Sequence, residues 1–116
     1  MPEEVTYEPH NALMRVRAWG VDPIADWIAS KKEVVQLSET HGVFYLLVDA
    51  RELTTAPSIL DIFDFGQDWP GTIKTAILVG EETSEDVAFV ETVAVNRYKQ
   101  MQIFYDEDEA LLWLRE

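Results

Sequence analysis

The sequence predicts an α/β layer fold: a mostly parallel sheet with an N-terminal antiparallel hairpin and about four helices, in the order ββαβαβαβα. Two runs carry the sheet. VFYLLV, residues 43–48, is apolar at every position, as a strand covered on both faces reads, and TIKTAILV, residues 72–79, reads as another buried-type strand. Segments of helical period separate the strands, an alternation that favours parallel pairing through crossover connections.

The hairpin is read from residues 5–7 and 12–19 around the turn EPHN. In its second strand Met14, Val16 and Ala18 alternate with Leu13, Arg15, Arg17 and Trp19, the period of a half-buried strand. Gly20 breaks the pattern, Asp22 can cap and Pro23 suits a first helical position, so a helix is expected from Pro23 to about Thr40, ended by Gly42. Ile24, Trp27, Ile28, Val34 and Val35 mark its buried stripe, which Lys31 interrupts.

Asp49 is expected to end the next strand. A second helix is expected from Pro57 to about Asp68, with Ile59, Leu60, Ile62 and Phe63 inward, stopped by Trp69, Pro70 and Gly71. After the strand at 72–79 and Gly80, Thr83 and Asp86 make an approximate capping box for a third helix over about 84–98. Met101 to Tyr105 is the last strand. Asp106, Glu107, Asp108 and Glu109 then place negative charge at the positive end of a final helix ending in ALLWLRE. Trp27 and Trp113 are the expected aromatic anchors of the helical faces.

Composition bounds the function. A chain of 116 residues suits one domain, 1–116, and none of its apolar runs reaches the ~20 residues of a membrane helix. The start MPEEVTYEPH opens on carboxylates rather than on the positive charge of an export signal, so a cytoplasmic location is expected. The absence of cysteine removes disulfides, thiolate metal sites and thiol catalysis. With 22 acidic residues against 9 basic, the net charge of −13 repels nucleic acid and anionic membranes alike, and neither is an expected partner. Such an excess also suits a saline environment, where salt screens self-repulsion.

The chemically suggestive clusters have plain structural readings. Asp61, Asp64 and Asp68 form one helical row without the loop a hard cation needs, and Glu81, Glu82, Glu85 and Asp86 crowd a helix start, where the macrodipole accounts for them. No metal and no cofactor is expected. His10 in a turn and His41 at a helix end make no catalytic or metal-binding spacing. Arg15 and Arg17 share a strand face and could hold an anion, but pairing with acids on neighbouring strands is the simpler expectation. Phe63, Phe65, Trp69, Phe89, Val93 and Val95 exceed a narrow helical stripe and leave a ligand pocket or a subunit contact open beside ordinary packing. The phosphate-binding, dinucleotide and serine-hydrolase glycine motifs are all missing.

The stretch LLVDARELTTAPSIL, residues 46–60, with TIKTAILVG and QIFYDEDEALLWLRE after it, resembles the SpoIIAA-like family, relatives of the STAS domains that include anti-sigma-factor antagonists. The resemblance covers nearly the whole chain. It implies a STAS-like fold, a protein partner and regulation rather than catalysis. In the phosphoswitch members, an Asp-Ser-Ser-Gly motif opens the second helix and a kinase modifies its first serine. Ser58 falls near that place, but its neighbours are Ala56, Pro57, Ile59 and Leu60, so the aspartate and the Ser-Gly are absent. A hydroxyl there commonly meets unpaired backbone donors of a helix's first turn.

The sequence therefore points to a non-catalytic interaction and regulatory module lacking the serine phosphoswitch, with Ser58, Asp49 and Arg51 as candidates for a switch or interaction site. A carrier or sensor of a small apolar or lipid-like ligand is the alternative, and self-association stays open. An enzyme would have only those three residues, with no base in sight for the serine.

Overall fold

The computed structural model describes residues 3–21, 24–55, 72–80 and 101–116. Strand β1 (Glu3–Glu8) leads through a 3-10 turn (Pro9–Asn11) into β2 (Leu13–Val21), followed by helix α1 (Ile24–His41), β3 (Tyr45–Thr55), β4 (Lys74–Leu78), β5 (Met101–Phe104) and helix α2 (Glu107–Leu114). The five strands form one sheet in sequence order. β1 and β2 are antiparallel, and every later pairing is parallel. The α/β class and the opening hairpin stand as read. Two helices are seen among the described residues; the two expected near 57–68 and 84–98 lie outside them.

The hairpin turn is tight because Pro9 starts a single 3-10 turn and Ala12 closes it in the left-handed region (φ 50°), its N–H donating to the Pro9 carbonyl. α1 ends at Gly42 (φ +65°), where the N–H groups of Gly42 and Val43 both donate to the Ser38 carbonyl, a helix stop that favours glycine. The Ser38 hydroxyl donates to the Val43 carbonyl at 2.5 Å.

Three expectations for the middle of the chain are corrected. The inward face of α1 is Ser30, Val34 and Ser38, four residues apart, while Ile28 is 46% exposed. Small serines let the helix lie close to the sheet, and the row read from the larger side chains falls partly on its flank. In VFYLLV, Leu46 and Leu47 are fully buried, but Phe44 precedes the strand at 50% exposure and Tyr45 opens it at 38%. Nor does Asp49 end the strand: β3 runs on to Thr55 because its polar second half still bonds to residues 17–21 of β2. Ladder pairing there overrides weak strand propensity.

Two cores result, one on each side of the sheet. Met14, Val16, Leu46 and Ile73 pack with Val34 of α1 and Val43. On the other side Leu13, Leu47, Ala76 and Leu78 pack with Ala110 and Leu114 of α2. Trp113 is only half buried. Its ring lies 5.6 Å from Phe104, and the Lys74 ammonium sits 4.5 Å over it while donating to the Trp113 carbonyl at 2.6 Å. Trp27 is likewise partly exposed. Trp113 packs against the α2-side core as an anchor at its margin, and neither tryptophan is fully enclosed. Among the described residues, no helix is long and apolar enough to cross a membrane.

Candidate functional site

The α2 side of the sheet changes character along its strands. Leu13 and Leu47 lie under α2 at the beginnings of β2 and β3, but the next residues on that face are Arg15, Arg17 and Asp49. Asp49 stands beside Leu78, the last residue of β4, which in turn stands beside Phe104, the last of β5. The charged zone thus occupies the carboxyl ends of β2 and β3, beside apolar Leu78 and Phe104 at those of β4 and β5, on the side where open α/β sheets place ligands.

A register shift positions the next acid. Arg17 pairs with Asp49 and Trp19 with Glu52, so β3 carries one extra residue between these two pairs, a β-bulge of the kind that re-aims side chains near functional sites. The bulge brings Glu52 onto the face of Arg17, whose Nη2 donates to Glu52 Oε2 at 2.7 Å. The same guanidinium lies 4.9 Å over the Trp19 ring.

Asp49 and Arg51 meet as a bidentate pair. Arg51 Nε donates to Oδ1 at 2.9 Å and Nη2 to Oδ2 at 2.7 Å, and the Arg51 backbone N–H adds a third bond to Oδ1 at 3.2 Å. Two parallel N–H···O bonds fix the guanidinium plane. Its Nη2 also lies 3.5 Å from Glu107 Oε1, and Arg15 Nη1 donates to that same oxygen at 3.3 Å. Arg15 Nε binds Glu8, whose other oxygen accepts from the Asn11 amide at 2.9 Å. One chain of contacts therefore runs Asn11, Glu8, Arg15, Glu107, Arg51, Asp49, linking the hairpin turn, β2, β3 and the first residue of α2.

The acids respond to these contacts. Hydrogen bonding from Arg51 holds the Asp49 carboxyl below its ordinary value, outweighing the opposing effect of burial. The Asn11 amide, with help from Arg15, does the same for Glu8. Both are anions at neutral pH. Next to Glu107, Asp106 caps α2, its carboxylate accepting from the Asp108 N–H at 3.2 Å.

Of the residues singled out from sequence, the fold brings Asp49 and Arg51 together, while Ser58 lies outside the described residues, as do Asp61, Asp64, Asp68 and the acids at 81–86. Arg15 and Arg17 are paired with acids, as the simpler reading expected. His10 is in the exposed 3-10 turn, and His41, at the end of α1, stacks on Tyr7 at 4.5 Å. Glu8, Asn11, Glu52 and Glu107 were not read as site residues. Only Glu107 left a trace, in the acidic run that starts the last helix. Among the described residues no group of three or more His, Asp or Glu could hold a metal ion.

The chain resembles two solved structures over nearly its whole length. One is an anti-sigma factor antagonist from Mycobacterium paratuberculosis, matched with a TM-score of 0.67 at 11% identity over 98% of this chain and 95% of that one. The other is an uncharacterised protein of the DUF3478 family from Shewanella loihica PV-4, solved with a SpoIIAA-like fold and matched with a TM-score of 0.61 at 21% identity, over 97% and 91%. The fold is SpoIIAA-like. No protein-family model and no curated protein matches the chain. At these identities the SpoIIAA-like architecture is shared and the site chemistry has to be argued from this chain's own residues.

Proposed function

We propose that this chain is a cytoplasmic, non-catalytic protein-interaction and regulatory module of STAS type that works without a serine phosphoswitch. The observation that carries the reading is the Asp49–Arg51 pair: a rigid, partly exposed guanidinium and its carboxylate, held at the strand ends by Glu107. Arginines of this kind are frequent anchors of protein interfaces. The cations at the strand ends are already bound to acids, which suits recognition by shape and charge pattern better than capture of a free anion. The neighbours of Ser58 speak against a kinase-read switch, and the likeness to an anti-sigma factor antagonist speaks for a protein partner.

Native mass spectrometry of the protein isolated from its own source tests this reading. A stoichiometric protein partner is expected, lost on Arg51→Ala and retained with equal affinity by Ser58→Ala and Ser58→Asp. A retained small apolar molecule in place of a protein would establish the carrier alternative, and a change of tenfold or more for Ser58→Asp, about 1.4 kcal/mol, would restore the phosphoswitch.

A further inference from the structure

At one end of the sheet, β1 presents an outer edge with no described strand bonded to it. It runs six residues in unbroken register, from Glu3 opposite Ala18 to Glu8 opposite Leu13. Alternate N–H and C=O groups of such a strand point away from the sheet and can template another strand. The other end of the sheet is β5, only four residues long. Shortness, an internal proline and a bulge are common ways to blunt an edge, and β1 has none of them.

What β1 carries instead is charge. Glu3, Glu4 and Glu8 hold three of its six positions. Carboxylates deter a like strand: a second copy of β1 alongside would set acid rows against each other, within a chain of net charge −13. They do not deter a basic one. The two rows differ in kind. Glu4, Thr6 and Glu8 share the face of Arg17 and Arg15, with Glu4 and Thr6 exposed, whereas Val5 and Tyr7 flank the α1-side core. Arg17, directly opposite Glu4, is committed to Glu52.

We propose that the β1 edge is a β-augmentation site for an extended partner segment alternating basic and apolar residues, with a basic one beside Glu4 and the apolar ones beside Val5 and Tyr7. Main-chain bonds would supply affinity and the two rows the selection. Glu8 joins this edge to the strand-end charges, whereas Glu4, Val5, Thr6 and Tyr7 lie outside that chain of contacts.

The probe is an acetylated, amidated hexapeptide of alternating lysine and valine, titrated into the isotope-labelled full chain and followed by amide NMR. A second peptide of the same sequence, with alternate amides N-methylated, keeps the charge but cannot add a strand. Shifts concentrated at residues 3–8 are expected, with slowed exchange of alternate β1 amides. Affinity should fall at least tenfold on N-methylation, and again for Glu4→Lys, whose spectrum away from β1 should match the parent's. Equal binding of both peptides would reduce the effect to charge attraction and overturn the proposal. So would shifts centred elsewhere, indifference to Glu4→Lys or to the milder Glu4→Gln, or no binding at millimolar peptide.

Discussion

The two faces of the sheet use the same strands differently. Facing α1, Met14 and Val16 on β2 and Leu46 on β3 are buried, with Val48 partly so. Facing α2, apolar Leu13 and Leu47 give way within two residues to Arg15 and Asp49. The first face packs along its length. The second packs under α2 and at Leu78 and Phe104, while the carboxyl ends of β2 and β3 are held by ions instead of by methyl groups. Apolar contacts stabilise wherever area is buried, whereas partly exposed ion pairs contribute little and mainly fix geometry. The contrast thus separates a region built for stability from one built for presentation.

The severest test of that contrast is to cut neighbouring leucines on opposite faces. Leu46→Ala and Leu47→Ala, both fully buried, should each cost about 2–5 kcal/mol, read from urea midpoints. A much smaller loss for either would mean that its helix does not close over that face. Trp113→Ala should cost less than the ~3–5 kcal/mol of a fully enclosed tryptophan, since its ring is half open. Two residues beyond Leu47, Asp49→Ala should cost at most about 1 kcal/mol while weakening partner binding. A loss rivalling Leu47→Ala would make the ion pairs structural after all.

Acid sharpens the comparison from the side of charge. Glu8 and Asp49 titrate below their ordinary values of 4.5 and 3.8 in the folded chain. Their contribution is complete above those values and is lost as pH falls through the lower folded-state ones. The chain with Glu8→Gln and Asp49→Asn together should therefore lose urea stability less steeply than the parent below about pH 5. Identical pH profiles would show that the contacts do not favour the charged forms. The smallest expected effect is at the hinge of the hairpin. Ala12→Gly relieves a left-handed alanine and should stabilise by up to about 1 kcal/mol, as a rise in melting temperature; destabilisation would mean that the alanine methyl packs usefully.

How much of this the sequence could tell follows from the range of the forces involved. Alternation along residues 13–19 settled the strand and its faces, and the acidic run at 106–109 announced α2, because both patterns are local. The inward face of α1 was misread since serine reports nothing about burial, which depends on how near the sheet lies. Asp49 and Arg51 could be named as a pair two residues apart. That Glu107, more than fifty residues on, would sit between Arg51 and Arg15 depends on where α2 lands, and nothing local to Glu107 records it.

The extra residue between Asp49 and Glu52 inverts inside and outside for the residues after it, until a second extra residue between Leu53 and Thr55 restores the phase. Up to Asp49 the odd positions face α2; by Glu52, opposite Trp19, an even position does. Two acids three apart in a strand would ordinarily look in opposite directions, yet here they look the same way. Alternation read along β3 therefore runs out of phase only between residue 50 and Thr55. Deleting Ala50 should bring residues 51–53 back into phase, restoring the ladder's count against β2 from Arg17 to Gly20 at the cost of pulling Arg51 out of the space between Asp49 and Glu107.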